Sequence, residues 1–233
     1  MYVDLMSTSP AAGRPAESLR QRVYTSLKDA VLSGELKPGE IVSEIEIARR
    51  WEISRAPIRE AIRQLEQENL VRSSPRRSAT VVGITAASVR DLYEVRMSLE
   101  GLSARLVAER SVTQEIDHLD SLADSVERSH SDGDYRAAIR VDDELHRKMA
   151  SMTRNRVLET QIMRVMDRLM MARMMVRQIP GRLEDIVDEH RAILVALRTH
   201  DGDAAAQACT THVQNAGERL TEMLIKSSVD DEV

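Results

Sequence analysis

The chain has 233 residues, 42% hydrophobic and 30% charged, the composition of a globular protein long enough for two modest domains. A lone cysteine, Cys209, excludes an intramolecular disulfide and fits a reducing cytosol, and no apolar run approaches the ~20 residues needed to span a bilayer. The net charge of −5 speaks against a nucleic-acid partner until it is divided: residues 1–17 carry −1, residues 18–83 carry +3 and residues 84–233 carry −7, so a mildly basic unit precedes an acidic one.

Aromatic residues make up only 2% and phenylalanine is absent, so twelve methionines and many Leu, Ile and Ala must fill the core, which favours helices over sheet. The opening "MYVDLMSTSPAAGRPAES" lacks a basic segment followed by an apolar one and does not read as a secretory signal. Its Ser, Pro, Ala and Gly content predicts a disordered leader over 1–17. A first helix is expected over 18–32, with Leu19, Val23, Leu27 and Val31 on one face and "SGELKPGE" ending it. A second, short helix starts at Ser43, where "SEIE" reads as a capping box closed by Glu46, and carries Ile45, Ile47, Ala48 and Trp51. After a break at Glu52-Ile53, Ser54 caps a third helix that tolerates Pro57 in its first turn and buries Ile58, Ala61, Ile62 and Leu65. Two β-rich pieces, Leu70–Arg72 and Ala79–Val82, flank a Ser/Pro/Arg turn and predict a hairpin, or wing.

Three helices and a wing over 18–83 make a winged helix-turn-helix. Arg55, Arg59 and Arg63 recur every four residues opposite the apolar stripe of the third helix. Arginine can bond two acceptors on a guanine edge, whereas a phosphate contact positions without specifying. Arg55 and Arg59 lie near the helix N-terminus, the end that enters the major groove in this motif. Ser54 and Arg49 join them as candidate DNA contacts, and Arg76 and Arg77 at the wing tip could reach phosphate or the minor groove. The plain alternative is a solvated basic face on an ordinary helix.

From Thr85 onward the chain reads as helix, near 85–110, 113–131, 134–152, 155–179, 183–200 and 203–226, with breaks at "RSVT", "SDGD", "TRN", "IPG" and "HDGD". These form an antiparallel bundle over 84–233, so the fold class is mainly α. Asp142 and His146 sit four residues apart on a stripe with Ile139, Leu145 and Met149. His190 shares its face with Ile186, Ile193, Leu194 and Leu197, and His212 lies between Ala208 and Ala216. Each of these two histidines is eleven residues from position 201 in "HDGD", so an antiparallel hairpin brings them level, roughly 16 Å along each helix from the turn. Three His and one Asp suit a divalent transition metal, zinc first and nickel as another option. The alternative is a satisfied core in which Asp142 pairs with His146 or an arginine. Arg96, between Leu92 and Leu99, either pairs with a core carboxylate or receives an acidic effector. The stripe Ile162, Met163, Met166, Leu169, Met170 and Met174 reads as core or as the lining of an adaptable pocket.

The segment "SEIEIARRWEISRAPIREAIRQLEQENLV", with "LKPGE" before it and "PRRSATVV" after it, resembles the helix-turn-helix of GntR-family bacterial transcription regulators over 18–83. That resemblance implies operator contacts by Arg55 and Arg59. The family's frequent basic residue in the second helix falls at Ile45, so that contact is either missing or supplied by Arg49 or Arg50, and its usual turn and wing glycines are Glu52 and Ser78 here. The segments "DLYEVRMSLEGLSARLVAER", "DDELHRKMASMTRNRVL", "DEHRAILVAL" and "THVQNA" are similar to the FCD ligand-binding domain of FadR-type GntR regulators over roughly 85–226. That likeness implies a metal held by Asp142, His146, His190 and His212. The family's usual aromatic residue before the first histidine is Leu145 here. Members that bind acyl-CoA without metal do not retain this ligand set.

The expectation is a cytoplasmic homodimer that binds double-stranded, near-palindromic operator DNA and senses a small organic acid at a metal-containing pocket, with no membrane partner and no enzymatic activity. Two alternatives are a metal-dependent enzyme, disfavoured because no "HExxH" or obvious general base accompanies the ligands, and a metal that only staples the bundle.

Overall fold

Ser18 starts the first helix because its side-chain oxygen accepts from the Gln21 N–H at 3.2 Å, and α1 then runs Leu19–Leu32. The computed structural model describes residues 18–73, 78–175 and 183–230. The chain divides into two compact units that part between Ile84 and Thr85.

In the first unit α1 is followed by β1 (Ile41–Val42), α2 (Glu44–Trp51), α3 (Arg55–Gln67), β2 (Val71–Arg72) and β3 (Ala79–Val81). Val23, Leu27 and Val31 of α1 are buried, as are Ile58, Ala61, Ile62 and Leu65 of α3, and α1 packs on α3. The sheet is antiparallel in the order β1-β3-β2, with Ile41 opposite Thr80 and Val71 opposite Val81. The wing therefore has a third strand, β1, which a two-residue extended piece could not announce by alternation. The capping box at α2 is half made: the Ser43 hydroxyl accepts from Glu46 N–H at 3.4 Å, while no return bond from the Glu46 side chain is seen. Ile45 is 64% exposed and does not share the buried face of Ile47 and Trp51. Ser54 holds the N-cap position of α3 with no side-chain bond into the helix. Between the two helices Glu52 adopts a left-handed backbone, φ 54°, while Glu52 N–H and Ile53 N–H both bond to Ala48 C=O. The turn is thus the one glycine would form without strain, built on a residue with a Cβ.

The second unit contains α4 (Ala86–Arg110), α5 (Thr113–Ser131), α6 (Tyr135–Met152), α7 (Arg156–Met175), α8 (Leu183–Arg198) and α9 (Gly202–Asp230). Side-chain acceptors set the starts of four of them: Thr85 and Ser88 bond reciprocally ahead of α4, Asp134 caps α6, Asn155 caps α7 and Asp201 caps α9. α4 and α9 pack along their lengths, and the small residues Gly101 and Gly217 permit the close approach. A Cβ at Gly217 would stand 2.7 Å from Cγ of Tyr93. The core includes Val107, Leu119, Met149, Ile162, Met166, Leu169, Leu197 and Val213. Among the described residues no helix is long and apolar enough to cross a membrane.

Candidate metal centre, cavity and DNA-reading helix

Four buried side chains from three helices converge inside the second unit. Asp142 and His146 come from α6, one turn apart on the same face, His190 comes from α8 and His212 from α9. One ligand atom from each lies within 4.8 Å of all the others. His190 Nε2 is 3.1 Å from Asp142 Oδ1, His146 Nε2 is 3.2 Å from His212 Nε2, and His146 Nε2 is 3.8 Å from Asp142 Oδ1. The level pairing of α8 and α9 leaves the His190 and His212 ring centroids 4.6 Å apart.

A second layer of carboxylates faces the other ring nitrogens. His212 Nδ1 is 2.9 Å from Glu189 Oε2, and His146 Nδ1 is 2.6 Å from Glu100 Oε2. The latter contact is close but off the hydrogen-bonding direction, yet a carboxylate there still favours a proton on Nδ1. In the tautomers that place each proton on Nδ1, toward the carboxylate, the two Nε2 atoms meet at 3.2 Å with no proton between them. His190 Nε2 is also buried without a hydrogen-bond partner of good geometry. A cation among these atoms would relieve both conflicts. Metal–ligand bonds of about 2.0–2.2 Å place neighbouring ligand atoms roughly 3.0–3.6 Å apart; the 3.1 and 3.2 Å contacts match this, and the 3.8 Å contact slightly exceeds it. The donor set therefore fits a divalent transition metal.

Ionisation follows the same layout. Burial pushes the Asp142 carboxyl up, but Arg173, His190 and His146 more than offset it and hold it well below the usual carboxylate range. Arg173 Nη2 donates to Asp142 Oδ2 at 2.5 Å, so this carboxylate has a partner even without a cation. Burial lowers the His212 pKa to about 3, against the opposing pull of Glu189. Burial raises Glu189, but donors on His212, Arg219 and Asn215 bring it down to about 2.

A cavity of about 50 Å³ adjoins the cluster, with Asp142 and His212 in its wall. Arg96, Arg173 and Arg219 line it beside Tyr93, Ile139, Ile186 and Leu220. Arg96 is tied to Glu100 through Nε at 2.5 Å, yet its buried Nη2 has no hydrogen-bond partner. Arg96 thus has the core carboxylate partner, Glu100, that was one of its two sequence-based options, and keeps one buried N–H group without a partner. The methionine stripe of α7 does not line this cavity; Met166, Met170 and Met174 are core, and α7 contributes Arg173. Glu100, Glu189, Arg173 and Arg219 escaped the sequence reading. The available signals were weak: Glu100 is one turn after Arg96, and Glu189 is adjacent to His190 but bonds His212.

In the first unit the inner face of α3 is buried, and Arg55, Arg59 and Arg63 are exposed on the other side. Arg49 on α2 and Ser54 are exposed as well. Arg55 and Arg59 both bond Glu44 at the start of α2, with Arg55 Nη2 at 3.0 Å and Arg59 Nε and Nη2 at 3.3 and 3.2 Å. Arg76 and Arg77 lie outside the described residues.

Comparison with known proteins follows this division. Residues 19–81 match the family model for bacterial regulatory proteins of the gntR family, and residues 91–215 match that for the FCD domain. The uncharacterized HTH-type transcriptional regulator YdhC of Bacillus subtilis is 29% identical over 202 residues, covering 86% of this chain and 90% of its own. The HTH-type transcriptional repressor RspR of Escherichia coli is 26% identical over 218 residues, covering 92% and 94% respectively. The solved structure of E. coli McbR/YncC superposes with a TM-score of 0.78 at 21% identity, over 89% of this chain and 99% of that one, a likeness of fold.

Proposed function

The chain belongs to the FCD-domain regulators of the bacterial gntR family, and from that premise we propose a metal-assisted, acid-responsive DNA switch. As a member of that family it is a transcriptional regulator and not an enzyme. It acts in the cytoplasm as a homodimer. Its paired recognition helices bind a two-fold operator through Arg55, Arg59 and Arg63, supported by Arg49, Ser54 and the wing arginines Arg76 and Arg77. The second unit senses a small organic acid.

One observation carries the sensing proposal: a cavity wall that combines Asp142 and His212 with the arginines Arg96, Arg173 and Arg219. Asp142, His146, His190 and His212 would hold a divalent metal, zinc first and nickel second, which when bound supplies a Lewis acid for an effector oxygen. Arg96, Arg173 and Arg219 offer donors to a carboxylate, and apolar Ile139, Ile186 and Leu220 exclude water around its carbon skeleton. At about 50 Å³ the cavity suits a ligand of a few non-hydrogen atoms unless it opens on binding. An effector that prefers one dimer conformation shifts the balance of DNA-competent and incompetent states by its differential affinity.

The test is a thermal-shift screen of small organic acids on zinc-loaded protein, with His190→Ala and Arg96→Ala in parallel. The expected result is that His190→Ala purifies with less zinc, and that Arg96→Ala loses the shift produced by the best acid. Full metal occupancy in His190→Ala would remove it from the ligand set. The Arg173–Asp142 ion pair favours a second reading, a satisfied polar core that needs no metal. Protein whose stability and DNA binding are the same with zinc and with chelator would support it.

A further inference from the structure

Glu44 was not among the residues singled out for DNA contact, yet it holds two that were. It is the first residue of α2, and its side chain is 24% exposed, against 52% and 53% for Arg55 and Arg59. Its Oε2 accepts from Arg55 Nη2 at 3.0 Å and from Arg59 Nη2 at 3.2 Å, and both of its oxygens lie 3.3 Å from Arg59 Nε. Together Arg55 and Arg59 hold its carboxyl below the ordinary value despite a desolvation cost, so it is ionised at neutral pH.

The edge of Arg59 that Glu44 uses matters. A guanidinium has five N–H donors in a fixed plane. With Nε and one hydrogen of Nη2 committed to Glu44, the end-on fork of Nη1 and Nη2 remains, the pair that can span O6 and N7 of a guanine. Glu44 also sets the local charge: two arginines and one carboxylate leave a surplus of one positive charge where there would be two. Binding to arbitrary DNA is driven mainly by cations released from phosphates, so this partial neutralisation weakens it.

We propose that Glu44 is a specificity-determining residue of the DNA-reading surface, clamping Arg55 and Arg59 toward base edges and reducing their pull on phosphate. A correctly placed guanine meets a fork already oriented. At other sequences the clamped fork is unmet, and turning it to a phosphate means breaking the Glu44 bonds. This inference rests on the proposed role of Arg55 and Arg59. The competing account is a plain ion-pair staple between α2 and α3.

The experiment uses the full chain and two probes: a duplex enriched from a random-sequence pool by the wild-type protein, and a random-sequence duplex. Fluorescence anisotropy at several salt concentrations gives affinities and salt slopes for wild type, Glu44→Gln and Arg59→Ala, and circular dichroism gives melting temperatures. Glu44→Gln is expected to bind random duplex more tightly with a slope steeper by about one, and to lose about tenfold in the enriched-to-random ratio. Glu44→Asp, which keeps the charge with a shorter reach, should fall between the two and serves if the glutamine variant folds poorly. If Arg59→Ala abolishes the preference while Glu44→Gln keeps the wild-type ratio and slope, Glu44 is a staple and the inference is overturned. If Arg59→Ala retains the preference, the recognition-helix reading itself falls, and this inference with it.

Discussion

At the scale of single residues, burial separates His212 from an ordinary histidine. Its folded pKa of about 3 lies below the ordinary 6.5, so as pH falls the unfolded chain takes up this proton first. The stabilisation is complete above pH 6.5 and is lost progressively toward pH 3. Glu189, lowered from 4.5 to about 2, adds a loss of the same sign only below pH 4.5. The window from 6.5 to 4.5 therefore separates His212 from Glu189, and the comparison with a His212 variant separates it from the other histidines. Metal-free protein should lose about 2–3 kcal/mol of stability across it from this residue, and His212→Asn should flatten the profile by that amount. Urea titrations at intervals of half a pH unit measure it, and superimposable slopes for both proteins would contradict the assignment. The four candidate ligands could be found in the sequence because helical spacing and a symmetric hairpin bring them together. Their supporting partners could not. Arg173 is 31 residues from Asp142, and Glu189 reaches across a turn to His212, contacts that depend on how helices are seated rather than on any period.

At the scale of elements, helix boundaries could be predicted where a capping side chain marks them, as at Ser18, Thr85, Asp134 and Asn155. β1 could not, because two residues carry no alternation and their pairing with β3 is decided about 38 residues later in the chain. Nor could the α4–α9 contact, where Gly217 lies under Tyr93. An added methyl group would meet Tyr93 Cγ at 2.7 Å and its Cβ and Cδ1 at 2.9 Å. These atoms lie at the root of a buried side chain, not at a flexible tip, so the helices must part or the ring must tilt. Gly217→Ala should therefore cost about 1–3 kcal/mol despite its better helix propensity. Tyr93 also lines the cavity, and the Arg96 guanidinium sits 5.4 Å from its ring, so the same substitution should weaken the thermal shift given by the best organic acid. A variant as stable as wild type would show that α9 can slide without loss.

At the scale of the whole molecule, the two units differ in what metal can do to them. The charge pattern, +3 over 18–83 and −7 over 84–233, changes sign beside the point where the units part. All four candidate ligands belong to the second unit, drawn from α6, α8 and α9. A cation bound there ties together helices that are 44 residues apart between His146 and His190, and it binds the folded state alone. Ligand of that kind stabilises by a logarithmic factor in its concentration over its dissociation constant, about 2.7 kcal/mol at a hundredfold excess. Two units with separate cores need not melt together. Scanning calorimetry with and without chelator should therefore lower the transition of the second unit and leave that of the first nearly in place. Holding protein concentration fixed keeps any contribution from dimer dissociation constant. Equal shifts in both transitions would mean that the units unfold as one body, and no shift in either would mean that Asp142 and its three histidines are held by Arg173, Glu100 and Glu189 without a metal.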